Sequence, residues 1–269
     1  MSELDHIDRL AASVLEGYLV RKDLVRTFSR QFPVPTYVVE FLLGRYCASI
    51  DPVEIEEGLE IVQRQLLSRS VKAGEIELFK SRAREFGKVK IIDLITTRLD
   101  IKTDSYLATL NSLQLSNVRI RDELVLRHER MLTGGFYAEI TLDYDAAIAQ
   151  EKNGRPFSIM SLREIQLSKH DILDILAKAR SNFTTEEWKT FLLRSIGIES
   201  DSLTEQAKNA LLLRMVPFVE RNYNMVEIGP RGTGKSHLFQ QISPYAHLIS
   251  GGKATVAKMF VNNSTGQRG

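Results

Sequence analysis

The sequence predicts a multidomain α+β protein: a helical N-terminal region, a small β-rich domain, then helices leading into the opening of a P-loop α/β module. Three observations predict it. Apolar residues recur at helical spacing through about the first 85 residues, and short β-branched runs replace them from about Lys88. A glycine-rich phosphate-loop pattern then occupies Gly229–Ser236 behind an apolar stretch. The expected boundaries are 1–86 for the helical region, 87–150 for the β-rich domain, 151–220 for the following helices and 221–269 for an incomplete P-loop core.

In the helical region, Ser2 followed by Asp5 has the shape of a capping box, ahead of Ile7, Leu10, Ala11 and Val14 at helical spacing. Phe32-Pro33-Val34-Pro35-Thr36 breaks the pattern, because each proline pushes its predecessor out of the helical region. Helices are expected from about Thr36 to Ser49 and from Pro52 to Ser70, where Pro52 suits a first turn. From Val89 to Thr96, Tyr106 to Leu110, Leu115 to Ile120 and Phe136 to Leu142 the runs read as strands, the last one preceded by the turn signal Gly134-Gly135. So many short strands in about 60 residues suggest a small barrel or sandwich, with an oligonucleotide-binding (OB-like) barrel as one candidate. Asn153-Gly154-Arg155-Pro156 reads as a linker. Three helix starts are expected after it, from the pairs Ser168 with Asp171, Thr184 with Glu187 and Ser202 with Glu205.

Composition sets limits on function. A length of 269 residues suffices for two or three compact units, and 43% hydrophobic with 26% charged residues excludes disordered or collagen-like chains. The formal net charge of +2 says nothing about an acidic partner, so the distribution of charge matters more. A single cysteine, Cys47, excludes an intramolecular disulfide and a cysteine-based zinc site, and reads as a buried thiol. The histidines show no metal spacing, and Trp188 reads as a core anchor. No run approaches the roughly 18 apolar residues of a membrane span, and the acidic start does not suit a signal peptide. The expectation is a cytoplasmic protein with no membrane partner.

Chemistry concentrates in two places. Asn224–Ile228 reads as a strand, Gly229-Pro230-Arg231-Gly232-Thr233-Gly234-Lys235-Ser236 fits G-x-x-x-x-G-K-[ST], and His237–Ile242 continues as a helix. The glycines let successive amides turn toward phosphate oxygens, and the helix start adds partial positive charge. Lys235 is suited to the β- and γ-phosphates of ATP, and Ser236 to holding Mg²⁺ through the nucleotide. Ala254–Val261 is a further strand candidate that would complete a β-α-β unit. After Glu227 the chain has no Asp or Glu, so the Mg²⁺-binding carboxylate that phosphoryl transfer needs is missing downstream, and the sequence reads as a fragment. The second place is a basic cluster of Lys80, Arg82, Arg84, Lys88 and Lys90, followed by Arg119 and Arg121. It reads either as a track for a phosphate backbone or as a solvated face offset by Glu75, Glu77, Glu85 and Asp122. Phe79, Phe86, Tyr106 and Phe136 lie nearby and offer rings that could stack on bases, but their default role is core packing.

Further resemblance sits in Glu187-Trp188, Phe191–Glu199 and Arg214-Met215-Val216-Pro217-Phe218-Val219-Glu220-Arg221-Asn222-Tyr223-Asn224, which runs into the phosphate loop. This resembles the BrxL family, the Lon-related proteins of bacterial BREX phage-defence systems, along the whole chain and most specifically over 187–262. The resemblance implies an AAA+ ATPase with a Lon-like C-terminal domain. It also implies binding of double-stranded DNA through residues 1–145, ring self-association and association with other BREX proteins. The family's Walker B carboxylates, arginine finger and Lon-like region have no counterpart here, so the chain alone is expected to be inactive as an ATPase or protease. The alternative is a non-enzymatic DNA-binding or assembly module with a remnant phosphate loop.

Overall fold

The computed structural model describes residues 4–165, 172–243 and 246. In chain order its elements begin with α1 (His6–Val14), α2 (Lys22–Ser29), α3 (Thr36–Tyr46), α4 (Pro52–Arg69) and α5 (Ile76–Phe86). Next come β1 (Lys88–Asp100), β2 (Ser105–Leu110), β3 (Leu115–Arg119), α6 (Asp122–Arg127), β4 (Phe136–Tyr144), α7 (Ala146–Ala149) and β5 (Phe157–Glu164). They close with α8 (Ile172–Arg180), α9 (Thr185–Ser195), α10 (Glu205–Leu213), α11 (Val216–Val219) and α12 (Lys235–Ile242). The chain is thus α+β, with an N-terminal helical region and a mixed five-stranded sheet. The described residues fall into two compact units, one of 4–31, 35–62 and 172–243 and the other of 32–34 and 63–165. No described helix is long and apolar enough to cross a membrane.

The helical unit joins segments far apart in sequence. Its core takes Ala11 and Leu15, Val25 and Phe28 of α2, and Val38, Val39, Leu42 and Leu43 of α3, with Phe183 and Leu193 from the later helices. Cys47 lies in the same core at 3% exposure, and burial pushes its thiol up to about 11, which bears out the buried-thiol reading. Arg194 of α9 reaches back to α1, donating to Asp5 Oδ2 at 2.6 Å and Asp8 Oδ1 at 3.2 Å, with Glu199 and Asp201 also within 3.4 Å. Burial opposes the charge on Arg194, but its bonds to Asp5 and the charges of Asp8 and Glu199 outweigh that and hold its pKa above the usual range. Its four partners are all well exposed, so each single pair adds little, on the order of 1 kcal/mol or less.

Helix starts follow local backbone chemistry. Thr184 and Glu187 form the expected capping box of α9. For α10 the cap is Thr204, which accepts from Ala207 N, and not the expected Ser202, because Thr204 holds the extended backbone next to the first turn. In α1 the cap is Asp5, whose carboxylate accepts from Asp8 N at 2.9 Å, whereas the Ser2 pairing lies outside the described residues. The Ser168–Asp171 start lies outside them as well.

In the second unit the strand order is β1-β2-β3-β5-β4, and β1 also pairs β4, so the order closes on itself. Only β3 and β5 run parallel. Strand β4 alternates cleanly, pointing Phe136, Ala138, Ile140 and Leu142 into a core shared with Ile91, Ile95, Leu110, Leu113 and Val118. Phe79 of α5, Val125 of α6 and Met131 seal that core. The four expected strands are present, and β5 adds to them: the segment expected to be helical after Asn153–Pro156 opens with a strand that pairs β4 from Tyr144↔Phe157 to Ala138↔Glu164. Phe79 and Phe136 are core residues as expected, whereas Phe86 is 68% exposed.

Candidate functional site

The glycine-rich loop has the torsions its sequence requires. Gly232 and Gly234 take φ of 81° and 76°, in the left-handed region that a side chain disfavours, and Gly234 caps the N-terminus of α12. Lys235 begins the helix and folds back over the loop, donating to Gly229 O at 3.1 Å and Thr233 Oγ1 at 2.9 Å, with Pro230 O as a third acceptor. Its ammonium is therefore held against the loop by two backbone carbonyls and a hydroxyl. The first turn of α12 carries no acidic residue, so nothing there opposes an anion at the helix start. Leu238 is buried, and Phe239 stacks on Phe218 of α11 at 5.1 Å, which fixes the helix behind the loop. Arg214 grips Glu227 just upstream.

One expectation around the loop fails. Asn224–Ile228 has no ladder partner among the described residues, and Val226 and Ile228 are 86% and 93% exposed. The run carries strand-forming residues, but a strand exists only through its hydrogen-bonded neighbour. The candidate neighbour, Ala254–Val261, lies outside the described residues.

The basic residues divide between several local settings. Lys80 pairs with Glu77 at 2.8 Å, and the Arg82 guanidinium lies 5.7 Å from the centroid of the Phe79 ring. Arg84, Lys88 and Lys90 are exposed. Lys88 and Lys90 sit two apart on β1 and so share a face, where they line a groove with Thr141, Met160 and Ser161 of about 440 Å³. Arg121 joins this group by donating to Met160 O at 3.2 Å. Arg119 does not: its Nε donates to Arg155 O at 2.8 Å, beside a second groove of about 290 Å³ between β3 and the turn 153–157. Sequence spacing gives no sign of this second groove, because Arg155 and Asp100 meet only once β3 and β5 lie in parallel.

Comparison with known proteins agrees along the chain. A family model described as "BREX system Lon protease-like protein BrxL N-terminal" matches residues 13–144, and one described as "Lon-like protease BrxL-like, ATPase domain" matches residues 157–269. Two curated proteins named Lon-like protease BrxL are similar to the chain. The one from Escherichia coli O9:H4 (strain HS) is 41% identical over 268 residues, covering 100% of this chain and 38% of that protein. The one from Bacillus cereus (strain H3081.97) is 41% identical over 249 residues, covering 93% of this chain and 36% of that protein. The chain thus spans well under half the length of these relatives.

Proposed function

The chain belongs to the BrxL family, and from that premise we propose that it binds a nucleoside triphosphate with Mg²⁺ at Gly229–Ser236 and double-stranded DNA through the basic surface of its β unit. The observation that carries the nucleotide half is the position of Lys235, held against the oxygens of a loop whose glycines turn it into the start of α12. In this reading the loop amides and Lys235 hold the phosphates, and the Ser236 hydroxyl holds the metal that neutralises their charge. The family's ATPase-domain match supports the same assignment. In the longer protein, as a component of a BREX phage-defence system, this module works as an AAA+ ATPase in a ring, alongside other BREX proteins.

The test is direct. Lys235→Ala should weaken binding of a fluorescent ATP analogue by about tenfold or more, equivalent to about 1.4 kcal/mol. Unchanged affinity would remove the nucleotide assignment.

The DNA half is supported by strand order. A five-stranded order that closes on itself, with a parallel β3–β5 pair and α6 between β3 and β4, supports the reading of an oligonucleotide-binding barrel. Lys80, Arg82, Arg84, Lys88 and Lys90 then form the phosphate-facing surface, with Arg119 and Arg121 contributed from and just after β3. Reversing the charge of the first five should flatten the log-affinity versus log-salt slope for duplex DNA by about 0.9 for each phosphate no longer neutralised. An unaltered slope would return these residues to a solvated face.

A further inference from the structure

Helices α1, α2 and α3 precede the β unit in the chain, whereas α9 and α12 follow it, yet each of the first three is tied to the later set. Helix α1 packs on α9, where Arg194 holds Asp5 and Asp8, and His6 Nε2 lies 3.4 Å from Glu187 Oε1. From α2, the Arg26 guanidinium donates to Gly197 O at 2.7 Å, in the left-handed turn that follows α9. Helix α3 packs on both α2 and α12, the helix that begins with Lys235. Its sequence suits two neighbours. Tyr37, Val38, Val39, Leu42 and Leu43 are all buried and spread over most of the circumference, whereas a helix with one neighbour needs a single apolar stripe. The loop ahead of α12 is exposed from Val226 to Gly234, so the helix takes its support from the side on which Leu238 is buried.

We propose that α1, α2 and α3 form the seat of the nucleotide site and tighten when it is filled, a regulation that rests on the nucleotide reading of Gly229–Ser236. The first three helices then work with the nucleotide rather than with DNA. The physical argument is linkage. An opening that lifts α12 from α3 also carries Lys235 and Ser236 away from the loop amides that share the phosphates with them, so the open form binds no nucleotide. A ligand that binds only the closed form disfavours each such opening by the factor 1 + [L]/Kd, about a hundredfold at a concentration of 100 Kd. The amides of α3 exchange through these openings, because α12 covers part of its buried surface. The ties of α1 and α2 pass the effect on more weakly, since their ion pairs face solvent. Strand β4 belongs to the separate core of the β unit and serves as an internal reference.

Amide hydrogen exchange of the whole chain, with and without a non-hydrolysable ATP analogue and Mg²⁺, tests this. With the analogue at about 100 Kd, the amides of Leu42 and Leu43 in α3 should slow by about tenfold to a hundredfold. Those of Ile140 and Leu142 in β4 should not change. Leu238→Ala should separate the two events: the amides of Gly232 and Gly234 are still slowed by the analogue, while the slowing in α3 falls to less than about twofold. If that variant loses its melting transition, Leu238→Val, with a smaller side chain, should reduce the slowing in α3 in the same direction. Slowing confined to the loop and α12 of the unaltered chain overturns the proposal and leaves the nucleotide reading intact. Equal slowing in α3 and β4 overturns it as well, because the ligand then stabilises the whole fold alike. Failure of the analogue to bind the unaltered chain overturns the nucleotide reading with it.

Discussion

Replacing Asp93 with alanine is expected to destabilise the β unit by about 3 kcal/mol, among the largest effects of any single side chain in it. Asp93 is fully buried in β1, yet it makes no ion pair among the described residues. Its Oδ1 accepts from Leu94 N at 2.7 Å and Ser112 N at 2.9 Å, and its Oδ2 from Ser112 N at 3.0 Å and Leu113 N at 3.2 Å. The carboxyl therefore holds the β2–β3 turn onto β1 by capping amides that have nowhere else to turn. Alanine strands these donors in an apolar setting, each loss costing about 1–3 kcal/mol, partly offset by no longer burying a carboxyl. Asparagine should fall between, since it keeps one acceptor oxygen and sets an NH₂ against the remaining donors. Burial pushes the Asp93 pKa up against the pull of these bonds. The folded-state pKa then lies above the unfolded one, so this group's contribution to stability is complete below about pH 4 and declines as pH rises through the folded value. Urea denaturation across pH should thus show the wild type losing ground to Asp93→Asn as pH rises. Equal stability of the alanine variant and the wild type would mean that the turn is held by other interactions. Amide exchange at Ser112 and Leu113 reads the same loosening locally.

How much of this was open to sequence reading depends on the distance over which each feature is encoded. The torsions of the glycine-rich loop and the helix after it were legible, because a few consecutive residues encode them. So were the first four strands, whose apolar runs are bounded by turns. Strand β5 was not. Phe157, Ile159 and Leu162 do carry an apolar signal, but Ser158, Ser161, Arg163 and Glu164 dilute it, and of the strand only Ile159 is buried. Pairing against β4 decides its state, which no local window contains. The joining of α1 to α9 was equally hidden, since the bond from Arg194 to Asp5 spans 189 residues. For the basic residues, the sequence identified the cations but not their neighbours. Lys88 and Lys90 share a face by strand periodicity alone, whereas the separation of Arg121 from Arg119 follows from which backbone carbonyl each one meets.

Gly135→Ala should cost the β unit about 3 kcal/mol or more, and Gly87→Ala only about 1, although both glycines sit in the same unit at nearly the same torsion. Their φ values are 72° and 74°, so the penalty for placing a side chain in left-handed backbone is shared. What differs is the space. A Cβ on Gly87, which ends α5, meets nothing within 4 Å. One on Gly135 would stand 2.3 Å from Ile95 O and 2.6 Å from Thr96 Cγ2, and the first of these is backbone that cannot swing aside. Ile95 is also the residue where β1 changes neighbours, pairing with Phe136 of β4 and with Leu110 of β2. Relieving the clash therefore means displacing β1 at the point that joins the two halves of the sheet. The turn signal Gly134-Gly135 marked a chain reversal in the sequence, and the packing gives the second glycine a further reason to lack a side chain. Denaturant midpoints of the two variants separate these contributions, because the shared torsional cost cancels in their difference. Equal midpoints would show that β1 yields freely at Ile95, and the close approach would then explain nothing about the glycine.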